Sequence, residues 1–319
     1  MPSGTIGSAT GANNVTGVAA DYTSIANWEA AIDGNNQTGT VIYIGGAIDT
    51  SPLTLNAAYS GMLLTAHADA ALNAPTYAAA TSRARLAFTS GDGLQVYGTG
   101  FTIEKISVTS SGDIAIYATQ GFEIRRCAVF NSVRAIRCDT SGAVKIANCA
   151  FFGNTVIDIW AAGNAIAVYH TSMLLNSGYG LYETLGGVIT CFACIRQGSV
   201  SGMGSGAGEY NVSQGTDATG SSSTKYYRST SGWFNVTTAS YEDLSLATGA
   251  KGKWVADGKD AIADYSAQDC GTDIVGTTRA APIDPGVWQT PAAGGMLKRF
   301  AWLGGLGRPI SSLTGGLHG

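Results

Sequence analysis

Charge is scarce in this chain. Asp, Glu, Lys and Arg make up 13% of its 319 residues, about half the usual share. The formal net charge is −4, so no broad basic surface exists to attract nucleic acid or an anionic membrane. Low charge does not mean disorder here, because 45% of the residues are hydrophobic and can bury a core. No apolar run is long enough to span a bilayer. Met1 to Gly17 has neither a basic region nor an apolar core, so no secretory leader is expected. Histidine is rare, with only His67, His170 and His318. No Ser or Cys stands at a recognisable spacing from any of them, which leaves a nucleophilic triad unsupported. His170 reads as an exposed polar residue, at an outward-or-turn position shared by Lys105, Arg126, Asn148 and Phe192.

The six cysteines do not make a disulfide framework. Cys127 and Cys149 fall at equivalent interior positions, where Cys serves as a small apolar filler. Stacked strands about 4.8 Å apart would also permit a bridge between them. Cys191 and Cys194 form a C-x-x-C without a second pair or a nearby His, so no zinc site is expected. Strand alternation places both of them on the outward side.

What the chain has in abundance is glycine, 44 residues, and a repeat. Ile103, Ile124, Ile146, Val168 and Thr190 follow one another at steps of 21, 22, 22 and 22. Three residues after each come Ile106, Cys127, Cys149, Thr171 and Ala193, and two further on Val108, Val129, Phe151, Met173 and Ile195. Between the last two columns only small residues occur: Ser107, Ala128, Ala150, Ser172 and Cys194. Apolar, small, apolar is the period-two signature of a strand. A fixed period in the twenties, too short for two helices and a turn, defines a solenoid whose rungs bury their apolar faces on one another. Gly-, Ser- and Asn-rich junctions supply the corners. The expected fold is a right-handed parallel β-helix of about 22 residues per rung.

Residues 1–20 read as an N-terminal arm, and 21–40 as a capping helix with its lead-in. Ser24 is a suitable N-cap, and Ile25, Trp28 and Ile32 share one helical face able to cover the open first rung. Strands are expected at 41–44, 53–55 and 62–65, within a solenoid spanning 41–290 that is regular from about 86 to 196 and looser over 199–290. Residues 199–232 read as a long loop or degenerate rung, and a strand starts at Tyr241-Glu-Asp-Leu-Ser-Leu246. Residues 291–319 contain no acid, and Met296, Phe300 and Leu303, with Trp302 beside them, form a short apolar stripe among Lys298, Arg299 and Arg308. This tail either caps the last rung or docks on a neighbouring subunit or particle.

Carboxylates on adjacent rungs would mark an enzyme of this fold, as calcium ligands in a lyase or an acid–base pair in a hydrolase. Glu104, Asp113, Glu123, Asp139, Asp158 and Glu183 include no two separated by 21–23 residues. Glu104 with Arg125 and Arg126, and Glu123 with Lys145, read as exposed cross-rung pairs of small weight. Asp139 and Asp158 could still converge across a turn. Asp257-Gly-Lys-Asp260 is too short for an EF-hand, and Gly202-Met-Gly-Ser-Gly206 lacks the context of a phosphate loop. No catalytic, cofactor or metal residue is therefore nominated. Trp160 and Tyr182, 22 apart, either lie in the core with Ile116 and Cys138, which that company favours, or form an outward ladder on which sugars stack. Asn154 and Asn176, also 22 apart, suit a hydrogen-bonded turn ladder.

Asp21-Tyr-Thr-Ser with its Trp-containing helix resembles the start of phage and metagenomic right-handed β-helix proteins. The stretches Tyr241-Glu-Asp-Leu-Ser-Leu, Asp273-x-x-Gly276-x-x-Arg279 and Asp284-x-Gly286 are similar to the closing rungs of the same group, a pectate-lyase-like solenoid. That resemblance implies a non-enzymatic virion structural protein of a tailed phage, a spike, fibre or capsid decoration. It would be assembled in the host cytoplasm as a homotrimer, would contact capsid or tail proteins and would touch host surface glycans. A polysaccharide lyase or hydrolase is the alternative on the same fold, and a surface adhesin a third.

Overall fold

The computed structural model describes residues 3–6, 20–31, 38–42, 47–48, 51–56, 62–139, 142–174, 178–198, 205–206, 208–213, 233–247, 268, 270–279 and 286–289. The chain is a right-handed parallel β-helix. Its strands stack into three parallel sheets that run the length of the solenoid. The first sheet holds Ser3–Ile6, Thr38–Val41, Met62–Ala66, Phe101–Glu104, Phe122–Arg125, Val144–Ala147, Ala165–Tyr169 and Val188–Phe192. The second holds Leu53–Leu55, Leu94–Val96, Ile114–Ala118, Arg134–Cys138, Ile157–Ala162 and Tyr179–Thr184. The third holds Ala47–Ile48, Arg85–Phe88, Ser107–Ser110, Ala128–Phe130, Ala150–Phe152, Ser172–Leu174, Ile195–Gln197 and Val212–Ser213. The N-terminal arm thus contributes a strand, Ser3–Ile6, paired with Thr38–Val41.

The repeat columns are the physical stacks. Ile103, Ile124, Ile146 and Val168 pair in series, as do Val108, Val129, Phe151 and Met173, and all are buried. The last rung departs by one residue. Val168 pairs with Cys191, Ser172 with Ile195 and Met173 with Arg196. The cause is one extra residue in the turn Leu185–Gly187 compared with the Gly163–Asn164 turn below it. A one-residue slip exchanges the faces of a strand, so Cys191 and Cys194 point inward with no exposure, not outward as the alternation suggested. All six cysteines are free and buried, with no bridge between Cys127 and Cys149.

Helix α1, Ile25–Ala31, starts where expected. The Asn27 amide donates to Ser24 Oγ at 3.1 Å, and Ile25 and Trp28 are fully buried in the main core. Between the first and third sheets the chain turns on a single left-handed residue in five successive rungs: Lys105, Arg126, Asn148, His170 and Ala193 all have φ between 42° and 60°. His170 is therefore a fully buried corner residue, not an exposed one, and the fifth member of its column is Ala193 in place of Phe192.

The small residues Ala128, Ala150 and Ser172 of the third sheet face outward, yet they are not solvated. A second apolar cluster covers them, built from Leu72, Ala79 and Ala80 next to and within helix α2 (Tyr77–Ser82), Phe234 and Leu244 of an antiparallel pair (Phe234–Val236 with Asp243–Leu246), and Ile274 and Val287. Phe130 and Phe152 stack beneath this roof at 5.4 Å. Residues 270–279 and 286–289, expected to close the solenoid, instead clip onto its side. Asp273 accepts the amides of Val275, Thr277 and Gln289 at 3.1, 2.7 and 3.2 Å. Arg279 donates to Asn148 Oδ1 and to the Gly286 carbonyl, both at 2.8 Å. The Asp273-x-x-Gly276-x-x-Arg279 motif is thus a self-braced clasp for the left-handed corner.

A turn ladder runs down from Asn154, one member of the expected pair. Ser132 Oγ accepts the Ser110 amide at 3.0 Å, and Asn154 Oδ1 accepts the Ser132 amide at 3.1 Å. Asn176, residues 291–319 (with Met296, Phe300, Trp302 and Leu303), His318 and 257–260 lie outside the described residues.

Asp158 is 1% exposed and accepts from Asn154 Nδ2 at 2.8 Å. Burial pushes its carboxyl up to about 7 against the opposing pull of Asn154 and Arg196. The folded state therefore keeps a proton that the unfolded chain releases near pH 4. This carboxyl's contribution to stability is greatest below that pH, declines as pH rises to about 7 and is constant above, a loss on the order of 4 kcal/mol. Asp158→Asn keeps the side-chain acceptor and should melt higher than the natural chain at pH 8 but not at pH 4, as followed by circular dichroism.

Candidate functional site

The third sheet is roofed, and the second sheet carries the richest chemistry on its outer face. In register along it stand Thr54, Gln95, Tyr117, Arg137, Trp160 and Tyr182. Trp160 and Tyr182 are thus outward and half-buried, not core partners of Ile116 and Cys138. A strict step of 22 misses this, because Tyr117 to Arg137 is 20 residues and Arg137 to Trp160 is 23. The turn between Phe152 and Ile157 has one residue more than that between Phe130 and Arg134, and the slip changes the face.

The column is a continuous stack. Arg137 lies 4.2 Å from the centre of the Trp160 ring and 5.6 Å from that of Tyr117, the cation-over-ring geometry that stabilises both partners. Tyr182 meets Trp160 edge-on at 5.6 Å, and Tyr97 meets Tyr117 the same way at 6.2 Å. Trp160 Nε1 donates to Thr184 Oγ1 at 2.9 Å, which fixes the indole. Tyr97 and Tyr179, 40% and 47% exposed, stand at the two ends, four rungs or about 19 Å apart along the solenoid axis at strand spacing.

Three aspartates flank the column. Asp139 takes a two-pronged bond from Arg137, Nε to Oδ1 at 2.9 Å and Nη2 to Oδ2 at 2.6 Å, and accepts the Tyr117 hydroxyl at 3.2 Å. That carboxylate is a main reason why Arg137 is held more firmly charged than an ordinary arginine. Asp113 is ion-paired with Arg134, whose guanidinium is also 5.7 Å from the Trp160 ring. Asp92 lies one turn below Asp113. A Cβ on Gly112 would come within 2.4 Å of the Gly91 carbonyl oxygen, so glycine there lets the two turns close and bring these carboxyls together. Burial first, then the Asp113 charge, raises the Asp92 carboxyl above its usual range, with Arg137 and Arg134 pulling the other way. A carboxyl of raised proton affinity, Asp92, therefore shares one face with two further carboxyls and two guanidiniums.

Asp92 and Asp113 are 21 residues apart and form the rung-to-rung carboxylate pair that the acids from Glu104 to Glu183 do not supply. The signal was present one rung earlier than those acids. Asp139 and Asp158 do not converge, because the first is on the outer face and the second is buried. Glu104 is no exposed pair either. It is 6% exposed and contacts Lys105, Arg125 and Arg126 at 3.2, 3.3 and 3.4 Å, a buried hub on the first sheet. Glu123 and Lys145 pair at 3.0 Å with both side chains about one-fifth exposed.

No protein-family model matches the sequence, and no curated protein does. Two solved structures of pectin methylesterase from Aspergillus niger are similar in fold. The penultimately deglycosylated form shares 15% identity over 83% of this chain and 98% of that one, with a TM-score of 0.43. The deglycosylated form shares 14% identity over 80% and 97%, with the same score. The likeness is one of solenoid architecture.

Proposed function

We propose that this chain binds a polysaccharide lengthwise along the outer face of the second sheet and acts on it through the carboxyls there. The observation that supports this reading is the column Gln95, Tyr117, Arg137, Trp160 and Tyr182 flanked by Asp92, Asp113 and Asp139. Aromatic edges offer apolar area to the C–H faces of sugars, while guanidinium and carboxylate groups match their hydroxyls. The 19 Å span from Tyr97 to Tyr179, at about 4.8 Å per rung, accommodates several sugar units. With three carboxyls against two guanidiniums the face is close to neutral, which suits a ligand of low charge.

Asp92, with its raised proton affinity, is the group suited to protonate a leaving glycosidic oxygen. Asp113 and Asp139, each bound by an arginine, are placed to serve as base or nucleophile. Asp113 and Asp139 each bind a guanidinium, which offsets the negative charge a calcium ion would need and favours acid–base hydrolysis over calcium-assisted elimination. Activity of this kind falls as pH rises through the Asp92 titration, because the donor must carry its proton.

The purified chain should be incubated with neutral, uronate and amino-sugar polysaccharides, scoring co-sedimentation and new reducing ends. The expected result is binding and cleavage of one class, with Arg137→Ala weakening binding at least tenfold while the melting curve moves by only a few degrees. Binding without cleavage would contradict the catalytic half and favour the adhesive role of a virion spike or decoration. Neither binding nor cleavage would remove the whole reading.

A further inference from the structure

Away from this face, a cleft of about 650 Å³ opens between helix α2 and residues 240–243. The two segments are sewn together by backbone bonds: the Tyr77 amide donates to the Glu242 carbonyl at 2.8 Å, and the Leu244 amide to that of Pro75 at 2.9 Å. Glu242 lines the cleft and is 1% exposed. Neither of its carboxylate oxygens has a hydrogen-bond partner among the described residues. A buried, unpaired carboxylate is a costly feature that a folded chain retains only where something compensates it. Asp243 adds a second carboxylate to the lining, and among the described residues no Lys, Arg or His lines the cleft. Tyr77 and Tyr241 supply two aromatic rings, the latter 74% exposed.

We infer that this cleft is a binding site for an organic cation, a primary ammonium or guanidinium group of a small ligand. The group would donate to the Glu242 oxygens and pack against the tyrosine rings, the combination that recognises alkylammonium ions elsewhere. The site is independent of the second-sheet face and could stand if the polysaccharide reading failed.

The test is a titration of the full chain with propylammonium chloride and glucosamine, read by calorimetry and thermal shift, with N-acetylglucosamine and calcium chloride alongside. Saturable binding of the two amines is expected, with none of the neutral sugar. Glu242→Gln should abolish it while leaving the fold intact, since the variant keeps the size of the side chain and breaks no hydrogen bond of the carboxyl. Tyr241→Ala changes an exposed side chain and should weaken amine binding severalfold without altering the fold, so it decides the matter if Glu242→Gln fails to fold. Equal amine binding in the variants, no amine binding at all, or saturation by calcium alone would overturn the inference.

Discussion

Cys149→Asp should leave no folded rod. The Cys149 thiol has no exposure and donates to the Ala147 and Ile124 carbonyls at 3.3 and 3.6 Å. Cys127 one rung below and Cys194 two rungs above repeat the arrangement onto Arg125 and Ile103, and onto Phe192 and Val168. With Thr171 in the rung between Cys149 and Cys194, whose hydroxyl donates to the Tyr169 carbonyl at 3.0 Å, these thiols fill an interior column and satisfy carbonyls at its edge. Burial already pushes the Cys127 thiol up to about 12 and Cys149 well above its ordinary value, which measures how hostile the column is to negative charge. An aspartate there must either ionise without a partner or hold its proton, at a cost of several kcal/mol. That is comparable with the whole stability of a typical domain, about 5–15 kcal/mol. Cys149→Ser retains a donor for the same carbonyl and should lose only about 1–2 kcal/mol. Circular-dichroism melting separates the two, and near-natural melting of Cys149→Asp would mean the interior register is wrong.

The second large effect is on activity. Asp92→Asn removes the transferable proton while keeping size and polarity, so cleavage of the bound polysaccharide should drop at least 100-fold, the ordinary contribution of a general acid. Binding should be unchanged within a factor of two, because the aromatic and guanidinium groups of the column are untouched. The falling limb of the pH–rate profile should disappear with the residue. Single-turnover assays at matched occupancy check this. A loss confined to affinity would make Asp92 a binding group only.

Much of the fold was legible because stacked rungs force equivalent positions to recur. Ile103, Ile124, Ile146 and Val168 had to be apolar and evenly spaced to pack on one another, and the Ser24 cap and Trp28 face of α1 follow from local rules. The errors have one physical source. Corners absorb insertions without penalty to the stack, so a turn longer by one residue before Ile157 shifted the second-sheet strand that follows it, and another before Val188 shifted the last rung of the first and third sheets. Trp160, Cys191 and Cys194 were misplaced for that reason. The roof over the third sheet was invisible because its parts, Leu72, Phe234, Ile274 and Val287, are brought together only by the tertiary fold. The small residues beneath them read equally well as solvated. At the candidate site the aromatic pair was visible. Arg137, inserted between Tyr117 and Trp160, was not, since the 20- and 23-residue steps hide it from a period of 22. Asp92 needed no structure, only the extension of the carboxylate search by one rung to the position 21 before Asp113.

The most direct test of the central claim is hydroxyl-radical footprinting of the chain with and without the polysaccharide it retains best. Tyr97, Trp160, Tyr179 and Tyr182 should lose reactivity together on binding, while Tyr241, exposed on a different part of the molecule, keeps its own. Bound polysaccharide that leaves those four residues as reactive as before, or that protects another face in their place, would contradict the assignment of the second sheet as the site.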